Sequence, residues 1–344
     1  MNLQGLLKLA VERGASDLHV SAGLPPMGRL DGELLPLDGA PLEGGEVLEA
    51  ITALMNEAQR QAFAASVEAD FAIELPGVSR FRVNAFHHRR GPAAAFRTVP
   101  SEVPSLGGLG FGETFQRLCR APRGLVLVTG ATGSGKSTTL AAMIDFINTE
   151  RRSHILTIED PIEFVHPAKN CLVHQREAHR HTPGFAEALR AALREDPDII
   201  MVGEMRDRET ISLALTAAET GHLVFGTLHT PSAAGTINRV VDVFPAGEKS
   251  LVRSMLAESL QAVIAQTLIK RQGGGRVAAH EIMVGTSAVR HLVREDKIAQ
   301  LYSAMQSGRA AGMQTLDQHL RQLVDTGLIS REAAARSARD GAGF

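Results

Sequence analysis

The residues with the clearest chemistry form a phosphate-binding loop. Residues 130–137 read GATGSGKS and fit the pattern G-x4-G-K-[ST] in full. They follow an apolar, strand-like run and open a helix-like segment, which is the context that this pattern requires. Backbone N–H groups of such a loop surround phosphate oxygens, its lysine reaches the β- and γ-phosphates, and its final hydroxyl ligates Mg²⁺. The sequence therefore predicts ATP and Mg²⁺ as cofactors, held by Gly130, Ala131, Thr132, Gly133, Ser134, Gly135, Lys136, Ser137 and Thr138.

Phosphoryl transfer also needs carboxylates beside the phosphates, and the segment 155–163, ILTIEDPIE, carries several. Its apolar start predicts a strand, and an open parallel sheet binds ligands at the carboxyl ends of its strands. Glu163, which follows Pro161, is therefore a candidate catalytic residue. Glu159 and Asp160, each taken separately, are expected to be solvated loop carboxylates.

A second carboxylate follows the segment 198–204, DIIMVGE, in which four apolar residues lead to Glu204. This arrangement is similar to a Walker B strand, although Gly203 stands where a magnesium-orienting aspartate is expected. We therefore predict that Glu204 acts on Mg²⁺ through water. Ser137 and Glu204 are the candidate metal residues.

Two histidines bracket the apolar run 223–228. His229 follows the run and is the better placed to sense the γ-phosphate, because the nucleotide crevice lies at the carboxyl ends of the strands. For His222, nucleotide binding and a purely structural role both stay open. A closer trio matches no common metal-site spacing and is expected in a solvated loop: His174, His179 and His181.

A predicted hairpin carries two arginines that face each other. Residues 78–99 read as two strands, and a turn at residues 89 and 90 pairs Arg82 with Arg97. Facing like charges destabilise a sheet, so an anion between them would compensate, and arginine binds phosphate oxygens bidentately. The two arginines are therefore candidate catalytic residues that close over the nucleotide of the same or a neighbouring chain, as arginine fingers do. The alternative is an exposed pair that lies over a sheet face.

The elements that position these residues fall into two regions. The first hundred residues predict a small α+β domain with a helix over 3–13, a strand over 17–20, an Asp31-Gly32 hairpin turn, a helix over 46–63 and the arginine hairpin. A Pro/Gly cluster over 100–112 predicts a linker. Apolar runs at 125–129, 155–158, 199–202 and 223–228 then alternate with helix-length segments.

This alternation predicts a mostly parallel sheet that is covered on both faces. The last sixty residues are helix-rich, with breaks near Gly308 and Gly327. The expected division is residues 1–99, a linker over 100–112, an ATPase core over 113–285 and a C-terminal helical region over 286–344.

Composition excludes several classes of protein. The chain has 344 residues, with 36 Lys+Arg and 38 Asp+Glu, and its net charge of −2 argues against nucleic-acid binding through bulk charge. Two cysteines without a CxxC pair exclude a zinc ribbon and favour a reducing, cytoplasmic compartment. No apolar run approaches the roughly 18–20 residues of a membrane span and no signal peptide is read, so membrane contact is expected only through partners.

The sequence resembles the retraction ATPases of type IV pili, the twitching-motility ATPases, within the secretion-ATPase superfamily. The resemblance covers nearly the whole chain, and Ala131, Val289 and His291 depart from the usual family residues. It is carried by GASDLHVSAGLPPM, RFRVNAF, GLVLVTGATGSGKSTTLAAM, HILTIEDPIEFVH, ALREDPDIIMVGEMRD, LALTAAETGHLVFGTLHT, RVVDVFP, SLQAVIAQTLIKR, GGGRVAAHEIM, TSAVRHLVREDKIAQLYSAMQ and GMQTLDQHL.

This resemblance implies a fold and a function. The fold would be a PAS-like N-terminal domain and a RecA-like P-loop ATPase domain with a helical C-terminal extension, assembled as a homo-hexamer. ATP would bind between the domains, and hydrolysis would move them and pass that motion to an inner-membrane pilus platform protein and the pilus machinery. Family roles would be a water-activating base at Glu163, a Walker B acid at Glu204, a His box with His222 and His229, and the N-domain arginines Arg82 and Arg97.

Three alternatives stay open on the sequence. The accessory retraction ATPase of the same superfamily is one, although the C-terminal segment SAVRHLVRED favours the main retraction ATPase. A DNA-translocating ATPase on the same core is the second, against which the charge balance argues. The third, a regulatory nucleotide-binding module without turnover, conflicts with the presence of Lys136, Glu163 and Glu204 together. Extension and type II secretion ATPases are longer and usually carry a four-cysteine zinc insert.

Overall fold

The structure, a computed structural model, describes residues 1–344 except Asp31, Asp38, Pro100 and Ser101, and only the backbone of Ala342. It divides into two compact units, Met1–Glu102 and Val103–Phe344. The predicted linker begins on residues that lie outside the described ones. Its later part belongs to the core of the second unit, where Leu106 and Phe111 are buried.

The described residues of the first unit form a six-stranded antiparallel sheet and three helices. Its strands run in the order β3-β2-β1-β6-β5-β4. Phe81 and Phe96 are fully buried in its apolar core together with Leu7. The elements are α1 Leu3–Glu12, β1 Asp17–Ser21, β2 Met27–Leu30, β3 Glu33–Pro36, α2 Gly44–Ala53, α3 Glu57–Ser66, β4 Glu68–Leu75, β5 Ser79–His88 and β6 Gly91–Val99.

Local signals account for most of this unit. Leu30 pairs with Glu33 across the predicted two-residue turn, of which Asp31 lies outside the described residues. The single helix predicted over 46–63 is wrong, because Asn56 starts a new helix. Its side chain accepts from the Gln59 backbone N–H at 2.9 Å and its own N–H donates to the Gln59 side chain at 2.9 Å, which is a capping box.

The second unit contains a seven-stranded sheet in the order β13-β12-β7-β11-β10-β8-β9. Only the β12–β13 pair is antiparallel, which confirms the predicted mostly parallel sheet. Its strands are β7 Gly124–Thr129, β8 His154–Glu159, β9 Leu172–Glu177, β10 Ile199–Val202, β11 Leu223–Leu228, β12 Leu260–Lys270 and β13 Arg276–Val284.

Helices cover both faces of this sheet. Alternate residues of β7 show the two faces: Leu125 and Leu127 belong to one apolar cluster, Val126 and Val128 to the other. The helices are α4 Glu113–Cys119, α5 Lys136–Glu150, α6 Phe185–Ala192, α7 Arg208–Glu219, α8 Ala233–Asp242, α9 Lys249–Ser259, α10 Ser287–Arg294, α11 Leu301–Ser307, α12 Leu316–Asp325 and α13 Arg331–Ser337, with short 3-10 turns at Ile298–Gln300, Arg309–Ala311 and Gly341–Gly343.

One histidine of this unit lies where the sequence did not predict it, whereas two glycines end helices as predicted. His174 lies on β9 rather than in a solvated loop, with its Nδ1 3.0 Å from Nε2 of His154. Gly308 and Gly327 follow α11 and α12, as the sequence predicts. Over the described part of the chain, every helix is too short or too polar to cross a membrane.

Candidate active site

Three glycines shape the loop between β7 and α5. Gly130, Gly133 and Gly135 have φ angles of +141°, +77° and +89°, which a side chain would disfavour. A Cβ at Gly130 would collide with the backbone oxygen of Gln266 on β12. The loop can therefore pass this close to the neighbouring strand only with glycine at this position.

The inner surface of this loop offers hydrogen-bond donors. The first N–H groups of α5, like those of any helix, have no intrahelical acceptor. Gly135 precedes the helix and provides no side-chain cap, so no capping side chain accepts from these groups either. The buried hydroxyl of Ser134 has no hydrogen-bond partner within the described chain. Unpaired N–H groups at a helix start and a buried free hydroxyl fit a bound phosphate.

Lys136 is buried in the loop, and its charge is influenced by two carboxylates. The residue is 9% exposed, and its Nζ donates to the backbone oxygens of Gly130 at 2.9 Å and Ala131 at 3.0 Å. Burial lowers the pKa of Lys136, while the negative charges of Glu204 and Glu163 act in the opposite direction. Both predicted acids thus lie close enough to influence the charge of the lysine.

Glu204 follows β10 and is held by two basic side chains. Nη2 of Arg206 donates to its Oε2 at 2.7 Å, and Nε2 of His229 lies 2.9 Å from its Oε1. Burial would raise the pKa of Glu204, but hydrogen bonding and charge attraction from Arg206 and then His229 outweigh it and lower the pKa. Glu204 is therefore a fixed negative charge at the edge of the sheet, with His229 beside it.

Gly203 explains the departure from the Walker B pattern. Its N–H donates to the Ile158 oxygen at 2.7 Å. A Cβ at this position would lie 3.1 Å from that oxygen and 3.3 Å from Cα of Glu159. Backbone atoms give way less easily than side chains, so an aspartate here would have to shift the Ile158–Glu159 backbone by a few tenths of an ångström.

The loop that carries Glu163 is anchored by buried polar groups. Glu159 accepts from Thr157 Oγ1 at 2.6 Å and from Gln175 Nε2 at 3.1 Å. Burial raises the pKa of Glu159 to about 7, against these bonds and one from the Glu163 backbone. Glu159 is 7% exposed, so its expected role as a solvated carboxylate is wrong, whereas Asp160 and Glu163 are exposed.

His222 lies at the opposite edge of the sheet. Its backbone oxygen accepts from the Gly124 N–H at 2.9 Å, at the start of β7, and its Nδ1 lies 2.9 Å from the Ala217 oxygen. The six residues of β11 separate it from His229, about 20 Å at the usual rise per residue. His222 therefore lies too far from the phosphate loop of its own chain to bind the nucleotide held there, as was predicted for it.

The two predicted arginines lie in the first unit. Arg82 and Arg97 are directly opposite each other on β5 and β6, as the register predicts. Nε of Arg97 donates to Oδ1 of Asp17 on β1 at 2.9 Å, and Arg29 Nε lies 3.9 Å from the other oxygen. The sequence predicts a bound anion that compensates the facing charges of Arg82 and Arg97. In the structure, the carboxylate of Asp17 supplies such a negative charge to Arg97.

Sequence reasoning missed three polar residues: Asp17, Gln175 and Gln266. Gln175 lies on β9 and bonds both Glu159 and the Phe164 oxygen. Asp17 is buried and stands opposite Arg97 in a strand pair that only the β1–β6 register creates. The available signal was Gln266, a polar residue within the mostly apolar strand β12, whereas Asp17 and Gln175 lie on strands with several polar residues.

Known proteins are similar to nearly the whole chain. The profile of the Type II/IV secretion system protein family matches residues 3–339. The type IV pilus retraction ATPase PilT of Pseudomonas aeruginosa is 65% identical over 339 residues, 98% of each chain. The type IV pilus ATPase PilU of the same organism is 41% identical over 99% of this chain and 90% of its own. A crystal structure of the pilus retraction motor PilT with bound ADP has a TM-score of 0.94 at 47% identity, covering 100% of this chain and 99% of that one.

Proposed function

The chain belongs to the Type II/IV secretion system protein family, and on that premise we propose that it is the ATP-hydrolysing motor that retracts type IV pili. The fold class agrees with the sequence analysis: a small α+β, PAS-like first unit is followed by a RecA-like P-loop ATPase unit with C-terminal helices. The observation that carries the proposal is the 65% identity to PilT over 98% of the chain, supported by a phosphate loop whose Lys136 lies within electrostatic range of Glu163 and Glu204.

The residues of the loop suit the triphosphate of ATP. The N–H groups at the start of α5 and the Ser134 hydroxyl would bind phosphate oxygens, and Lys136 would exchange its loop carbonyls for phosphate. Mg²⁺ would neutralise charge on the phosphates, held by the Ser137 hydroxyl, and by Glu204 through water because Arg206 and His229 already bond its carboxylate.

Glu163 is the proposed base. It is exposed at the site edge, so its carboxylate can accept a proton from water, and the anchored loop at Glu159 fixes its backbone. His229 contacts Glu204 and is proposed to sense the γ-phosphate. Arg82 and Arg97 are proposed to act on the nucleotide of the same or a neighbouring chain, as part of a homo-hexamer that couples hydrolysis to inter-domain movement.

Turnover and binding test the enzymatic part of this proposal. We expect Mg²⁺-dependent ATP hydrolysis by the full chain, and Glu163→Gln should still bind ATP while its kcat falls about a hundredfold or more. Glu219→Gln, at an exposed carboxylate at the end of α7, is the matched control. Equal kcat in Glu163→Gln and wild type would refute the role of Glu163.

Deletion in the host tests the cellular part. Loss of the motor should abolish twitching while pili remain assembled at the inner-membrane base, where a platform protein is the proposed partner. The second candidate is an accessory ATPase like PilU. The 41% identity to PilU supports it, but less strongly than the 65% identity to PilT supports the retraction motor. Retraction that persists after deletion would favour that candidate, and DNA-stimulated turnover would favour a DNA-translocating ATPase.

A further inference from the structure

Gln266, on β12, lies directly against the phosphate loop. The side chain is 5% exposed. Its Nε2 donates to the backbone oxygen of Ser134 at 2.7 Å, and its Oε1 accepts from Oγ1 of Thr139 at 2.7 Å. One amide therefore joins the loop to the first turns of α5.

The Ser134 oxygen, which can only accept, fixes the direction of this amide, and His280 on β13 contacts its other end. Nε2 of His280 lies 3.2 Å from Oε1 of Gln266. An amide oxygen only accepts, so the proton of His280 must be on Nε2. Burial lowers the pKa of His280 to about 3, which keeps the ring neutral. A reversed amide would place its NH2 against His280 and its oxygen against the Ser134 oxygen.

Two further elements hold His280. Its backbone N–H donates to Nδ1 of His319 on α12 at 2.8 Å, and the two rings stack with centroids 5.5 Å apart. Phe111 and Phe115 meet the His280 ring edge-on, at 4.8 and 5.2 Å. The hydrogen-bonded chain thus runs from the C-terminal helices to the loop.

We propose that Gln266 is a positioning residue that orients the peptide group between Ser134 and Gly135 toward the nucleotide. In a trans peptide the C=O and N–H point in opposite directions. Because Gln266 holds the Ser134 oxygen toward β12, the Gly135 N–H points away from the strand, to the side where phosphates bind. The inference rests on the proposed function and assigns a new residue to that site.

Kinetics of the full chain test this role. Gln266→Leu removes the bond to the peptide and should raise KM for MgATP and Kd for a fluorescent ADP analogue about tenfold, with kcat changed much less. Gln261→Leu is the control, because Gln261 lies on the same strand and donates to the Arg123 oxygen instead. KM equal to that of the control, or a fall in kcat alone, would overturn the proposal.

Gln266→Glu separates positioning from packing. At pH 8.5 the introduced carboxylate would face the Ser134 oxygen and raise KM more than leucine does. At pH 6 its protonated form can donate as the amide does, so KM should return toward wild type. In wild type, burial lowers the pKa of the neighbouring His280 to about 3, so its ring stays neutral at both pH values. If the ratio of KM in Gln266→Glu to KM in wild type does not depend on pH, the proposal is contradicted. It is also contradicted if both Gln266 variants fail to fold while Gln261→Leu folds. Absence of turnover in wild type would instead contradict the proposed function.

Discussion

The buried carboxyl of Glu159 makes the stability of the second unit depend on pH. Its pKa is raised from 4.5 to about 7 in the folded chain, so the folded state holds the proton more tightly than the unfolded state. Wild type therefore loses stability as pH rises from the unfolded pKa through the folded one. At 1.36 kcal/mol per pKa unit the full loss is about 3 kcal/mol, most of which falls between pH 5 and pH 8.5.

Glu159→Gln should remove this dependence, because an amide does not titrate. The carboxyl of Glu159 accepts from Thr157, Gln175 and the Glu163 N–H. The NH2 of a glutamine cannot accept, so the variant loses one of these hydrogen bonds, and it does so at every pH. The stability of the variant relative to wild type should therefore rise by about 2–3 kcal/mol from pH 5 to pH 8.5.

Urea unfolding of the full chain, followed by circular dichroism across this range, measures the difference. In thermal scans at pH 8.5, about 2–4 °C of shift is expected for each kcal/mol in a unit of this size. Glu219→Gln, at an exposed carboxylate, should show a constant offset. If the difference between Glu159→Gln and wild type does not vary with pH, the burial argument is refuted.

Three other substitutions test separate parts of the structure. Lys136→Ala should abolish detectable binding of a fluorescent ATP analogue, and retained affinity would contradict the role of its buried ammonium group. Gly203→Ala should lower the free energy of unfolding by about 1–3 kcal/mol, because its Cβ would press on the Ile158 oxygen; an unchanged urea midpoint would contradict this packing. Asp17→Asn should lose about 1 kcal/mol at pH 7. Burial would raise the pKa of Asp17, but hydrogen bonds from Ser16 and Arg97 lower it. The stability difference between wild type and Asp17→Asn should therefore disappear as pH falls through that lowered pKa. A stability difference that persists at low pH would contradict this role of Asp17.

The sequence predicted the strands that carry the site because their apolar runs are local signals. The runs at 199–202 and 223–228 coincide with β10 and β11. In a parallel sheet the residues that follow each strand meet at one edge, so the proximity of Glu204, His229 and the loop was also accessible. The arginine pairing followed from turn position alone, because register in a short hairpin is set by the turn.

Tertiary structure decided the environment of each polar group. The string TIEDPIE does not distinguish a buried Glu159 from an exposed Glu163; β9, packed alongside, does so through Gln175. Likewise, Gln266 and His280 come together at the loop only because β12 runs parallel to β7 and β13 antiparallel to β12. The sequence by itself determined the kinds of chemical group and the strand edge that presents them. Which of those groups are buried, charged and bonded depended on strands far away in the chain, because desolvation and hydrogen-bond partners are set by long-range packing.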